Sequence, residues 1–317
     1  MKKKFPRKEV YVHTTKIPLG EGDVITLEDR TLQISPYFKK YAEQKWESEN
    51  KEGVSSPMLS VLEIESQDDR LILHCGPTEY KYLLGMVKLA FQQGEIGEDY
   101  IAGLSTEIMP LTLDNMFFLE KRYSKITQHG VGFYDMPSAG QHAQIHLDKS
   151  KIKYQGLVNG MSDMFGFPIW NMIRNLNVNP SELEKIFYTG FSKGFEVSLD
   201  TQINGYARVN LEALELEKRN TTENRFTYNF NDLSDLLTCI GNDGKDGRRI
   251  KEDIHGKIPI PNERGFALID DCLGTLLSNT KHLYGTEKYE DLVKILKNKD
   301  YKINEVPGGK IILSTLI

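Results

Sequence analysis

The chain has 317 residues, with 40 basic and 45 acidic side chains, a formal net charge of −5 and a pI near 5.9. That is enough material for a sizeable core, and a mildly acidic balance argues against a general nucleic-acid binder, local basic patches apart. No apolar run of about 18 residues occurs, so no transmembrane helix and no membrane partner are expected. The basic start MKKKFPRKEV is not followed by an apolar stretch and does not read as a signal peptide. Cys75, Cys239 and Cys272 lie far apart with no C-x-x-C, the pattern of reduced, mostly buried thiols in a cytoplasmic protein.

In chain order, residues 9–35 alternate in polarity around Gly20, Gly22 and Asp23, which predicts short strands at 10–15, 23–27 and 31–35. A charged helix is expected over 37–52 and a loop over 53–57. Segments 58–66 and 70–76 flank Gln67-Asp68-Asp69 as a hairpin. Tyr82, Leu83, Met86, Val87, Leu89, Ala90 and Phe91 recur at helical spacing, giving a helix over 78–94 with Thr78 as its N-cap. The Gly-Glu-rich stretch at 94–99 marks a boundary, so 1–98 is expected to be an N-terminal α+β domain.

Strands follow at 103–109 and 115–122, and a short one at 133–140 runs into a loop. A lysine-rich stretch at 149–153 precedes a helix at 167–176 and a turn at Asn179-Pro180. Further strands are expected at 185–191 and 203–211, an amphipathic helix at 230–240, and a polar loop at 241–249. Helices at 263–278 and 287–298 lead to a closing hairpin, 301–306 with 310–317 around Pro307-Gly308-Gly309. The expected class is α+β, with a second domain over 99–284 and a C-terminal helix and hairpin over 285–317.

The segment Gly156–Val178 reads GLVNGMSDMFGFPIWNMIRNLNV. On a helix Asn171, Arg174 and Asn175 fall at i, i+3, i+4 and share one face. The stretch resembles the Nudix box of nucleoside-diphosphate hydrolases, G-x5-E-x7-R-E-U-x-E-E-x-G-U, with U a bulky apolar residue. Gly156 takes the first glycine, Ser162 the first glutamate, and Trp170-Asn171 the Arg-Glu pair. Met172 takes the first apolar position, Arg174-Asn175 the Glu-Glu pair, and Asn177-Val178 the final Gly-U. The glycine and both apolar positions match, and every acid is missing. Three glutamates there would hold Mg²⁺, which takes carboxylate and phosphate oxygens. With Arg174 between two asparagines, the face repels a cation and offers a guanidinium to phosphate instead.

The resemblance covers roughly 100–280 and implies a Nudix-like α/β/α sandwich with a mixed sheet. The family's Arg-ended hairpin is matched by Phe117 to Ser124. Its Trp-x-x-Pro-x-Gly-Gly stretch is similar to Phe133 to Gly140. In the family one glycine usually serves both motifs; here Gly140 and Gly156 are distinct, about 16 residues apart. By resemblance Lys121, Arg122 and Lys125 lie on the diphosphate side of the cleft, with Asp135 facing a ligand and Ser138 donating to phosphate. The ligand-binding set is therefore Lys121, Arg122, Asp135, Ser138, Gly140, Gly156, Asn171, Arg174 and Asn175.

The leading expectation is recognition of a nucleotide or other phosphorylated ligand without Mg²⁺-dependent pyrophosphate hydrolysis. The second is an active hydrolase with Mg²⁺ held by relocated acids among Glu182, Glu184, Glu196, Glu212 and Glu215. The third is an interaction scaffold, forming an oligomer or holding a protein partner; fold alone does not choose among these. Other patterns read more plainly. His142 and His146 at i, i+4 lack a third ligand at metal-site spacing. The loop at 242–247 lacks the full ligand spacing of a calcium loop. Ser192 in Gly190-Phe191-Ser192-Lys193-Gly194 fits G-x-S-x-G by letter, but strand signals on both sides predict a β-turn.

Overall fold

The computed structural model describes residues 3–20, 22–48, 55, 57–97, 100–121, 133–137, 139–141, 166–197, 199–219, 225–238, 240 and 268–316. The strands are β1 (Lys3–Lys4), β2 (Glu9–Leu19), β3 (Val24–Leu27), β4 (Pro57–Gln67), β5 (Arg70–Glu79), β6 (Glu95–Ile96), β7 (Leu104–Leu111), β8 (Met116–Lys121), β9 (Tyr134–Asp135), β10 (Gly140–Gln141), β11 (Leu183–Gly194), β12 (Thr201–Val209), β13 (Arg225–Asn229), β14 (Lys302–Glu305) and β15 (Gly309–Ile312). The helices are α1 (Pro36–Ser48), α2 (Tyr80–Gln93), α3 (Gly166–Leu176), α4 (Ala213–Arg219), α5 (Leu233–Thr238) and α6 (Asp270–Lys297). No helix among the described residues is long and apolar enough to cross a membrane.

The molecule is mixed α/β, built on open sheets. The largest has six strands in the order β10-β7-β12-β11-β2-β14. Its β12–β7 and β2–β14 pairs are parallel and the rest antiparallel. The sheet draws strands from 1–98, 99–284 and 285–317 alike. A four-stranded sheet, β15-β4-β5-β3, and a three-stranded one, β13-β8-β9, accompany it.

Alternation along each strand sorts side chains between two layers. Val10, Val12, Met109, Leu111 and Tyr206 pack with Cys272, Leu273, Leu276 and Leu277 of α6. Leu104, Ile108, Tyr188, Phe191 and Ile203 pack with Leu59, Val61, Ile64, Leu71 and Leu73 of β4–β5 and with Met172 and Leu176 of α3. A third cluster joins Phe38 and Ala42 of α1 to Leu83, Met86 and Ala90 of α2, with Phe5, Phe195 and Leu199.

Several expectations are corrected. Thr78 is the penultimate residue of β5, and Glu79 occupies the α2 N-cap without a side-chain bond. The capping oxygen comes from Ser55, whose Oγ accepts from Lys81 N at 2.9 Å. Residues 31–35 form no strand. Strand β11 runs on to Gly194, so Ser192 lies in the strand rather than a turn, opposite Gln202 on one side and Val12 on the other. The two helices expected at 263–278 and 287–298 are present, end to end within α6 and separated by a break at Gly285, whose φ of 86° and ψ of 177° are not helical; the first begins at Asp270 rather than 263. The closing hairpin does not form. β14 joins β2 and β15 joins β4, because Pro307-Gly308 carries the chain from one sheet to the other.

Candidate functional site

Strand β7 is buried along its whole length. Its odd-numbered residues face α6, and at the start of that face stand Ser105 and Glu107 rather than apolar groups. β12 runs beside it in register, setting Gln202 beside Ser105 and Asn204 beside Glu107. The first turns of α6 lie over this polar patch with Asp270, Asp271, Cys272 and Thr275 buried. β9 brings in Asp135 through its pairing with Glu120 of β8, while Leu268 bridges Tyr134.

Glu107 is completely buried. Its Oε2 accepts from Thr275 Oγ1 at 3.1 Å and Gln202 Nε2 at 3.3 Å. Ser105 Oγ donates to Gln202 Oε1 and fixes that amide. Glu107 Oε1 has no donor. Potential ligand atoms of Glu107, Asp135 and Cys272 all lie within 4.8 Å of one another. Burial, then the charges of Asp135 and Asp271, push the Glu107 carboxyl well above its ordinary range. Burial, then Glu107 and Asp135, do the same to the Cys272 thiol. Two carboxyls so placed need a shared proton or a cation between them.

The polar seam continues along α6. Thr275 Oγ1 reaches Asn204 Oδ1 at 2.9 Å, and Ser192 Oγ donates to the same oxygen at 3.0 Å. Thr189 Oγ1 donates to Asn279 Oδ1 at 2.8 Å, and Asn279 Nδ2 donates to Gly205 O at 2.8 Å. At the helix start Asp270 Oδ2 accepts from Glu196 N at 2.8 Å, and burial raises its carboxyl. Lys193 is held by Leu199 O at 2.6 Å and by the Tyr100 ring, 4.6 Å from its centroid; burial lowers it to about 7.

The box helix forms where the spacing predicts it, as α3, with Met172 and Val178 buried. Asn171 is buried and its Nδ2 has no acceptor. Arg174 is exposed, its Cζ 5.1 Å from the Trp170 ring centroid. Asn175 Nδ2 donates to Pro137 O at 2.7 Å. Gly140 opens β10 opposite Thr106, next to Glu107. Lys121 closes β8 opposite Tyr134. Asp135 thus adjoins Glu107 and Cys272, Gly140 pairs one residue from Glu107, and Asn175 reaches the turn after β9, while Arg174 is exposed. Arg122, Ser138 and Gly156 lie outside the described residues, as do Ser162, Lys125, His142, His146, Asp148, Cys239 and the 241–249 loop.

Of the acids Glu182, Glu184, Glu196, Glu212 and Glu215 that could pair to hold a metal, three are engaged by other side chains. Glu182 is gripped by Arg219 at 2.6 and 2.9 Å, and that guanidinium holds its carboxyl down at about 2. Glu215 shares the same arginine, and Glu196 accepts from the Tyr301 hydroxyl at 2.8 Å. A second acid group, Glu63 and Glu65 with His74, is neutralised: Lys310 reaches Glu63 at 2.8 Å, Arg30 reaches it at 3.3 Å, and Asp29 holds His74 Nδ1 at 2.8 Å. Glu107 and Cys272 escaped sequence reasoning. The available signal was one acid inside the mostly apolar 101–111 run, which an amphipathic strand with an exposed face would show equally.

No family model matches the chain, and no curated protein is similar to it.

Proposed function

We propose that the chain recognises a nucleotide or another phosphorylated small molecule, in a Nudix-like setting, on the surface where α3 meets the 133–140 segment. The observation that carries this reading is the Asn175–Pro137 hydrogen bond of 2.7 Å, which fastens the box-like helix to the chain between Asp135 of β9 and Gly140 of β10. This contact supports assigning to one site the two stretches of the sequence that resemble the family's ligand site. Arg174 supplies a solvent-facing guanidinium suited to bidentate pairing with phosphate, and Trp170 beside it gives an aromatic face for a base. Asn171 Nδ2 is a buried donor in want of an acceptor. The helix face holds no carboxylate, so Mg²⁺ has no seat there.

The test is a panel of ADP-ribose, NAD, nucleotide sugars and dinucleoside polyphosphates with Mg²⁺ and Mn²⁺, read by phosphate or nucleotide release and by melting temperature. Stabilisation by a panel member without turnover supports recognition alone. Robust turnover would move the reading to hydrolysis by acids outside the box. Neither effect would leave an interaction scaffold as the better account.

A further inference from the structure

We infer that Glu107, Asp135 and Cys272 form a binding site for a divalent transition-metal cation of the Zn²⁺ type. The inference does not rest on the phosphate reading, since it uses none of the α3 side chains. Its ligand atoms come from three separate elements, β7, β9 and α6, and converge within 4.8 Å of one another. Zn–O and Zn–S bonds of about 2.0–2.3 Å set tetrahedral ligand separations of about 3.3–3.8 Å, which small side-chain adjustments reach from there.

The second observation is the state of Glu107. It is fully buried, no lysine or arginine pairs with it among the described residues, and Oε1 has no partner beyond Asp135 and Cys272 themselves, while Oε2 has two. A buried carboxylate oxygen without a donor is costly unless something positive meets it. The two bonds to Oε2 are the outer-shell support that orients a ligating carboxylate and leaves its other oxygen for the metal. Thr275 and Gln202 are thus positioning residues, with Ser105 behind Gln202.

The donor set selects the ion. Mg²⁺ and Ca²⁺ take oxygen and have little affinity for sulfur, whereas a thiolate with two carboxylates suits Zn²⁺, or Co²⁺ as its spectroscopic substitute. Asp271, adjacent to Cys272 in the first turn of α6, is the candidate for a fourth ligand. The Glu63–Glu65–His74 group is the internal contrast: its charges are already met by Lys310 and Arg30.

The experiment uses the full chain, stripped with a chelator, and adds Zn²⁺ or Co²⁺ alone. Expected are one equivalent bound by calorimetry, a raised melting temperature, and a thiolate-to-cobalt charge-transfer band. C272S should lose the band, and E107Q and D135N should weaken binding at least tenfold. C75S and H74A should behave as wild type. E107Q keeps the side chain's shape, so its metal-free fold, checked by circular dichroism, separates lost binding from lost structure. Absence of binding by folded wild type, a cobalt spectrum without the thiolate band, or wild-type affinity in folded E107Q would each overturn the assignment.

Discussion

Gly274 of α6 rests directly against Ser192 of β11: a methyl group on Gly274 would lie 2.2 Å from both Cβ and Oγ of the serine. Four residues earlier the relation is inverted, and a Cβ on Gly194 of the strand would lie 1.9 Å from Asp270 Oδ2 of the helix. These two missing side chains let the helix approach closely enough for Thr275 to reach Glu107 and Asn204.

Gly274→Ala should therefore cost about 1–3 kcal/mol, the usual penalty of overpacking. It should also disturb the Glu107 hydrogen bonds. Urea unfolding checks the first effect. Restoration of part of the loss by Ser192→Gly in the Gly274→Ala background would tie it to this contact, through the coupling a double-mutant cycle reads.

At Glu107 the substitutions should diverge. Glu107→Gln keeps acceptor and shape and cannot ionise beside Asp135, so stability should stay within about 1 kcal/mol of wild type or rise. Glu107→Ala leaves a cavity and strands Thr275 and Gln202, and should cost about 2–4 kcal/mol. Equal losses in the two variants would show that the carboxylate, not the shape of the side chain, matters here.

Ser55→Ala removes the oxygen that caps α2 from outside the helix, and about 1 kcal/mol should follow. Thr78→Ala should leave the cap intact, since Thr78 belongs to β5. Thermal melts of the two variants distinguish the non-local cap from the local one expected by sequence.

Arg174→Glu should leave stability within about 0.5 kcal/mol, because Arg174 is exposed. If the phosphate reading holds, affinity for the panel member that stabilises the wild type should fall at least tenfold. Unchanged affinity would remove Arg174 from the site.

Acid sensitivity should come partly from Glu9. Burial pushes its carboxyl up, but Lys302, Arg7 and Asn304 together outweigh this and hold it at about 2, against 4.5 for the free group. Ionised Glu9 thus favours the folded state at pH values above 4.5. That contribution shrinks as pH falls from 4.5 towards 2, where both states become protonated. Lys302→Met should flatten this part of the stability-versus-pH curve, measured by urea midpoint from pH 7 to pH 2.

The helix at 167–176 was legible because its apolar spacing and its burial agree. The 58–66 and 70–76 hairpin was legible because a polar turn separates two apolar runs. Partner choice was not: β14 and β15 carry strand-like sequences, yet nothing local to them says that one pairs with β2 and the other with β4. The break between the helices expected at 263–278 and 287–298 was legible, and it falls at Gly285. The site divided the same way. Asn175 and Asp135 belong to recognisable stretches, whereas Glu107, Gln202, Thr275 and Cys272 meet only through the packing of α6 on the sheet.

The pairing of β14 with β2 has a kinetic meaning. His13 Nδ1 lies 2.8 Å from Val306 O, across 293 residues of chain. A nascent polypeptide must keep β2 in waiting, one edge unsatisfied, until residues 302–306 have left the ribosome. Such distant contacts raise the contact order and slow folding. Until β14 arrives, β2 keeps an edge open to pairing with a second molecule.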